Sequence, residues 1–83
     1  MIRRDKEKIR MTLDKLKIGR TAVVTGIRNQ STERRRLYDL GITPGTPIEN
    51  VMPSPLGDPI AYRVRSAVIA LRREQAQLID VKE

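Results

Sequence analysis

The sequence contains no cysteine and no histidine among its 83 residues. The absence of cysteine excludes disulfide bonds, thiolate nucleophiles and cysteine-ligated zinc or iron–sulfur centres. Without thiolate or imidazole ligands, a tight transition-metal site would depend on carboxylates, which prefer harder ions, and the acidic residues form no clustered motif. We therefore expect no metal site and no bound cofactor.

Aromatic residues and long apolar runs are also scarce. Tyr38 and Tyr62 are the only aromatic residues, so the core of this single domain should consist of Val, Ile and Leu. No apolar run approaches the ~20 residues of a membrane helix, and the N-terminus lacks the apolar segment of a signal peptide. The sequence therefore predicts a soluble, cytoplasmic protein.

Basic residues outnumber acidic ones by 17 to 10, which gives a formal charge of +7. Such a charge favours anionic partners, namely nucleic acid, lipid headgroups or an acidic protein surface, without choosing among them. Residues 1–12 are rich in Arg and Lys, and we interpret them as a flexible basic arm before a domain spanning residues 13–83. An amphipathic helix that touches anionic lipid is the alternative, but Ile2 and Ile9 offer it little apolar area.

Turn and cap signals outline one short helix. Ser31-Thr32 offers an N-cap, and Leu37 and Leu40 have the spacing of an inner face on a helix of about ten residues. Gly41 follows the last apolar residue of this pattern, where a left-handed cap costs least for a residue without a side chain. We therefore predict a helix that ends at a Gly41 cap.

Five segments have the composition of β-strands. They are Thr21–Ile27, Thr46–Met52, Pro59–Arg65, Ala67–Leu71 and Gln77–Val81. The third segment alternates and implies one solvent-exposed face, whereas the fourth is apolar throughout and is predicted to be buried. Within the first segment, Gly26 predicts a bulge.

Short strands in this number predict a mainly-β fold, a small five-stranded SH3-like barrel whose closure removes its sheet edges. In this predicted fold, one short α-helix lies between strands 1 and 2, and Arg72–Ala76 is expected to form a helical turn before the last strand. Leu13 and Leu16 should dock on the barrel ahead of the first strand.

The composition argues against several activities. A groove for proline-rich peptides is lined by several aromatic residues, which two tyrosines cannot supply. No histidine is present as a general base, no Gly-rich phosphate loop follows a strand, and the serines have no activating partner near them in sequence. We expect a binding module and not an enzyme.

Several blocks of sequence carry a family resemblance. They are Leu16–Gly19, Arg36–Thr46, Pro55–Pro59 and Leu71–Val81. In order and spacing they resemble the FeoA family of ferrous iron transport proteins from Leu13 to Val81, and Pro55–Pro59 indicates the free-standing form. The chain is also similar to the C-terminal barrel of iron-dependent repressors. The resemblance implies an SH3-like barrel that acts as a cytosolic accessory to FeoB, the membrane GTPase and ferrous iron permease.

A partner surface is predicted on the helix at residues 32–40 and the neighbouring loop at residues 53–59. Because the helix must turn its leucines inward, its arginines and Tyr38 should point partly outward, and Arg and Tyr are frequent in interface hot spots. The proline-stiffened loop would lose little entropy on docking. The predicted partner-binding residues are Arg34, Arg35, Tyr38, Pro55, Leu56 and Asp58. In the alternative interpretation, Tyr38 caps the core and the arginines form a solvated helix face.

Two other functions stay open at this point. The first is a small basic barrel that binds nucleic acid, but single-stranded recognition stacks bases on aromatic side chains at ~1–3 kcal/mol each, and only two tyrosines are available. The second is a regulatory barrel like that of the iron-dependent repressors. Nucleic acid is not the expected partner, whereas the basic arm offers a peripheral contact with the membrane surface.

Overall fold

The computed structural model of the chain describes residues 10–28, 32–53 and 56–83. These residues form six β-strands, two short α-helices and one 3-10 turn. In chain order they are β1 (Arg10–Thr12), the 3-10 turn (Leu13–Lys15), β2 (Thr21–Ile27), α1 (Thr32–Asp39), β3 (Pro47–Pro53), β4 (Ile60–Val64), β5 (Ala67–Leu71), α2 (Arg73–Ala76) and β6 (Ile79–Lys82). The strands form one antiparallel sheet in the order β1-β6-β2-β3-β4-β5.

The mainly-β architecture and the positions of both helical segments are confirmed. The five-stranded closed barrel is wrong in detail, because the described residues form six strands and no ladder joins β5 to β1. The extra strand, β1, lies at the end of the range 1–12 that was assigned to the basic arm. Its three residues carry no strand pattern of their own, and they are extended because they pair with β6.

Two local features follow the sequence closely. Gly26 was predicted to mark a bulge, and the register of β2 on β6 shifts between Val24 and Gly26. Gly41 was predicted to cap α1 with a left-handed conformation, and its φ is +95°. The Gly41 N–H donates to Tyr38 O at 2.9 Å and the Ile42 N–H donates to Leu37 O at 3.1 Å, which is the pair of bonds of a Schellman motif.

The core is aliphatic apart from one tyrosine. The buried apolar residues are Leu13, Leu16, Ala22, Val24, Leu37, Ile42, Ile48, Ile60, Tyr62, Val64, Leu71, Ala76, Ile79 and Val81. The predicted docking of Leu13 and Leu16 is therefore confirmed. So is the alternation of β4, whose residues 60, 62 and 64 face the core.

Two predictions about burial are wrong. Leu40 was expected to share the inner face of the helix with Leu37, but 43% of its surface is exposed. The helix ends at Asp39, so Leu40 lies in the cap and Ile42 fills the core in its place. The segment Ala67–Leu71 was expected to be buried, yet only its last residue is, because β5 lies at one end of the sheet.

Tyr62 lies at the centre of the core and is fully buried. Its hydroxyl donates to Leu13 O at 3.4 Å, which connects β4 to the 3-10 turn. Burial raises the pKa of this phenol well above its ordinary value, because the apolar surroundings disfavour the phenolate.

We predict that Tyr62 makes the fold sensitive to alkaline pH. Because the folded chain holds the phenolic proton more tightly than the unfolded chain, this contribution to stability is complete below about pH 10 and is lost as the pH rises, by up to about 1.4 kcal/mol per unit. In urea denaturation at alkaline pH, Tyr62→Phe should flatten the decline in the free energy of unfolding. Equal slopes in the wild type and in Tyr62→Phe would refute the assignment.

Candidate partner-binding site

The exposed side of α1 carries a stacked pair of side chains. The guanidinium carbon of Arg34 lies 5.1 Å from the centre of the Tyr38 ring, and Arg34 Nη2 donates to the Tyr38 hydroxyl at 3.3 Å. The two residues are four apart in the helix, which places them on one face. Both are half-buried, whereas Arg35 beside them is exposed. The stack restrains an arginine and a tyrosine at the surface before any partner arrives.

A glutamine on α2 connects the two helices. Gln75 Nε2 donates to Glu33 Oε2 on α1 at 2.7 Å, and Gln75 Oε1 accepts a bond from the Arg72 N–H at 2.9 Å. Both ends of the amide are therefore used, which fixes its orientation. The first turn of α1 is held against the start of α2.

An arginine on α2 holds the loop that precedes β4. The Arg73 N–H donates to Asp58 Oδ1 at 2.7 Å, and Arg73 Nη2 donates to Gly57 O at 3.1 Å. Asp58 thus accepts a donor at the start of α2 that the helix itself leaves without a partner. Leu56, two residues earlier, is 92% exposed. The loop is anchored at its base while its leucine faces solvent.

We call α1, α2 and residues 56–58 the helix–loop face. Five of the six predicted partner-binding residues lie on two of its three elements: Arg34, Arg35 and Tyr38 on α1, and Leu56 and Asp58 on the loop. Pro55, the sixth, lies outside the described residues. An exposed leucine, a restrained tyrosine and basic residues on connected elements form a composition typical of interaction sites.

Sequence reasoning missed the residues that connect this face. Neither Glu33 nor Gln75 was assigned a role in this surface, and the α2 segment was predicted only as a helical turn. The contacts of Gln75 with Glu33 and of Arg73 with Asp58 span 42 and 15 positions in sequence, so no local pattern reveals them. The one available signal was the glutamine three residues after Arg72, which is the spacing of a capping box.

Within the part of the chain that the structure describes, no helix is long and apolar enough to cross a bilayer.

The fold is that of a small SH3-like domain, and the helix–loop face is its candidate partner-binding surface. The FeoA domain family matches residues 11–83, and the chain belongs to this family. A relative in Porphyromonas gingivalis, which fuses Fe(2+) transport protein A to the Fe(2+) transporter FeoB, is 35% identical over 72 residues. That match covers 87% of this chain and 8% of the fusion protein. The predicted family is confirmed.

Solved structures of the family share the fold. A FeoA-like protein from Clostridium acetobutylicum is 36% identical with a TM-score of 0.81, over 89% of this chain and 85% of that one. Stenotrophomonas maltophilia FeoA, described as a prokaryotic SH3 domain protein and complexed with zinc, is 31% identical with a TM-score of 0.77, over 86% and 88%. A manganese-dependent transcriptional repressor is 21% identical with a TM-score of 0.81, and the match covers 92% of this chain and 42% of the repressor. This likeness shows the fold alone.

We predict that ferrous or zinc ion titrated into this chain gives no stoichiometric, high-affinity binding. The chain has neither thiolate nor imidazole ligands, and the described residues contain no group of three or more acidic side chains that could hold a metal ion. Isothermal titration calorimetry under anaerobic conditions measures this directly. Saturable one-to-one binding in the micromolar range or tighter would contradict the prediction.

Proposed function

We propose that this chain is a cytoplasmic, non-enzymatic accessory of ferrous iron uptake that acts by binding a FeoB-type membrane GTPase. The observation that carries the proposal is the fused relative, in which FeoA and FeoB form one polypeptide. Fusion holds two domains at a high effective concentration, which is useful where the two domains must associate. This chain spans 8% of the fused protein, so transport itself belongs to the FeoB part in this proposal.

The helix–loop face is the surface that we assign to FeoB. Its arginines and tyrosine are of the types that contribute most to protein–protein affinity. Because the Arg34–Tyr38 stack, the Gln75–Glu33 bond and the Arg73–Asp58 bond already order it, docking costs less conformational entropy than it would for a mobile surface. The net charge of +7 favours an acidic surface on the partner.

We predict that the double substitution Arg34→Glu with Arg35→Glu weakens binding to the purified cytosolic region of FeoB by at least about tenfold. The substitution reverses the charge on the α1 part of the face and removes the cation from the Tyr38 ring. Biolayer interferometry with immobilised FeoB region measures the affinity, and a thermal melt shows that the variant is folded.

The matched control is Arg10→Glu with Lys17→Glu, which changes the net charge equally at two exposed residues outside the helix–loop face. This control should bind within about threefold of the wild type, since its charges lie outside the contact. Equal weakening in both double variants would indicate a general charge effect. Undiminished binding of the α1 variant would place the FeoB contact elsewhere on the chain.

The structure weakens the competing proposal of single-stranded nucleic-acid binding. Of the two aromatic residues in the chain, Tyr62 is fully buried and the ring of Tyr38 is stacked with Arg34. Few surfaces are therefore left for base stacking, on which this kind of recognition depends. A membrane contact was predicted for the basic arm at residues 1–12. Residues 1–9 of this arm lie outside the described part of the chain.

A further inference from the structure

A tight turn that leads into β2 holds an isoleucine in solvent. The Arg20 N–H donates to Lys17 O at 3.0 Å, and Gly19, the third residue of this β-turn, has a φ of +82°, as a type II turn requires. Ile18, the second residue, is 60% exposed. Single exposed apolar side chains are common on protein surfaces, so the significance of Ile18 depends on how the turn is held and on what surrounds it.

Asn50 on β3 anchors this turn. It is buried, its N–H donates to Arg20 O at 3.1 Å, and its carbonyl oxygen accepts from the Gly19 N–H at 2.8 Å. Its Nδ2 also donates to Leu16 O, just before the turn, at 2.8 Å. Both ends of the turn are therefore fixed to the sheet, and a contact made through Ile18 costs little conformational entropy.

Basic residues surround a cavity beside this turn. The cavity has a volume of about 290 Å³ and is lined by Met11, Lys15, Lys17, Arg20 and Glu83. Arg20 Nη2 pairs with Glu83 Oε2 at 2.6 Å. Asp14 accepts a hydrogen bond from the Thr12 hydroxyl and does not line the cavity. Because three cations face one carboxylate, the cavity has a net positive charge that favours an anion.

The same end of the sheet carries further basic residues. Val23, near the start of β2, pairs with Lys82 at the end of β6, and Lys82 lies directly opposite Arg10 of β1. Like charges directly opposite each other destabilise a strand pair, and negative charge against this end would reduce the repulsion. Residues 1–9, which contain four basic and two acidic residues, join the chain at Arg10. The charge is therefore spread over an area larger than one small anion.

The combination of a projecting isoleucine and surrounding cations indicates the class of partner. A standard protein interface buries about 800 Å² on each side around a packed apolar centre, which one isoleucine between charged residues does not supply. A nucleic-acid backbone would use the cations but not the isoleucine. A bilayer that contains anionic lipids offers phosphates to the cations and an acyl-chain boundary to the isoleucine.

We propose that the turn at residues 17–20 is a membrane-contact site that docks on a bilayer rich in anionic phospholipid. Lys15, Lys17 and Arg20 contact headgroup phosphates, and Ile18 enters the boundary between headgroups and acyl chains. The site lies outside the helix–loop face, and its lipid contact requires no FeoB, so the two proposals stand or fail separately. An accessory held at the bilayer would meet a membrane transporter at a higher effective concentration.

Vesicle sedimentation tests the apolar part of the site with the full chain. We expect binding to vesicles of equal parts phosphatidylcholine and phosphatidylglycerol, and at least about tenfold weaker binding to phosphatidylcholine alone. Ile18→Ser should weaken binding to the mixed vesicles about fivefold. Met52→Ser is the matched control at a residue that is 57% exposed on β3, and it should bind within about twofold of the wild type. Equal binding of Ile18→Ser and the wild type would overturn the proposal.

A second pair of variants tests the cations. Lys15→Gln with Lys17→Gln should weaken binding to the mixed vesicles at least about tenfold. The matched control, Arg28→Gln with Arg63→Gln, removes the same charge from two arginines that form ion pairs outside the turn, and it should bind within about threefold of the wild type. Equal weakening in both double variants would overturn the proposal in favour of general charge attraction. A loss in the lysine variant without a loss in Ile18→Ser would overturn it in favour of an anion site that does not enter the bilayer.

The depth of the turn in the bilayer can be measured because the chain contains no tryptophan. The emission of Ile18→Trp should shift to shorter wavelength with the mixed vesicles and should be quenched by lipids brominated on their acyl chains. Met52→Trp should keep the emission of a tryptophan in water, and thermal melts show that both variants are folded. Unchanged emission from Ile18→Trp, or equal shifts at the two positions, would overturn the proposal.

Discussion

Leu37→Ala is expected to lower the free energy of unfolding by about 2–5 kcal/mol, whereas Leu40→Ala should lower it by about 1 kcal/mol or less. Both substitutions remove the same atoms from leucines at the end of the same helix. Leu37 is fully buried, while 43% of the Leu40 surface is exposed. The large effect at Leu37 combines lost apolar burial with the cavity left behind, and the surface position of Leu40 avoids most of both.

Urea denaturation followed by circular dichroism measures the two changes under identical conditions. The pair is internally controlled, because both variants lose the same side-chain volume. A third variant, Ile42→Val, should cost about 0.5–1.5 kcal/mol if Ile42 fills the core position next to Leu37. Equal losses for Leu37→Ala and Leu40→Ala would mean that α1 packs through both leucines, as the sequence pattern alone suggests.

Leucine spacing predicted α1 correctly and the fate of Leu40 incorrectly, and the cap explains why. Residues three apart share a helix face only while the helix continues. Here the Leu40 N–H is shared between Arg36 O and Leu37 O at 3.2 and 3.1 Å, and the chain turns at Gly41. The left-handed turn directs Ile42 into the core. The Gly41 cap was predicted correctly, but the same cap ends the helix before Leu40 and so excludes Leu40 from the inner face.

The sheet shows a similar division between local and long-range information. Alternation in β4 and the bulge at Gly26 are local patterns, and both were predicted. The burial of β5 was not, because an apolar strand looks the same in sequence whether it lies inside a sheet or at its end. Strand β1 was missed because its three residues become extended only through pairing with β6, about 70 positions away.

The sequence indicated the surface residues of the candidate site but not the hydrogen bonds that hold its elements together. Arginine, tyrosine and an exposed leucine can be proposed from residue type and helix phase. The bonds from Gln75 to Glu33 and from Arg73 to Asp58 depend on α2 lying between α1 and the loop. That arrangement follows from the tertiary fold, so the order of the face was visible only in the structure.

Gly41→Val is the second substitution with a large expected effect, a loss of about 1–3 kcal/mol in the free energy of unfolding. The φ of Gly41 is +95°, a conformation that a β-branched residue adopts only with strain. A Cβ at this position would lie 3.2 Å from Arg65 Nε and 3.9 Å from Val64 Cγ1. The Arg65 side chain would have to move, and its Nη2 donates to Thr46 Oγ1 at 3.3 Å.

Two comparison variants separate backbone strain from this contact. Gly19→Val has a similar φ of +82° with no atom within 4 Å of the added Cβ, so it should report strain alone, about 1–2 kcal/mol. Gly41→Asn should recover most of the loss, since asparagine tolerates the left-handed region. Thermal melts rank the three, with about 4–8 °C expected per kcal/mol in a domain of this size. A Gly41→Val midpoint equal to that of the wild type would show that the Schellman turn at the end of α1 does not stabilise the fold.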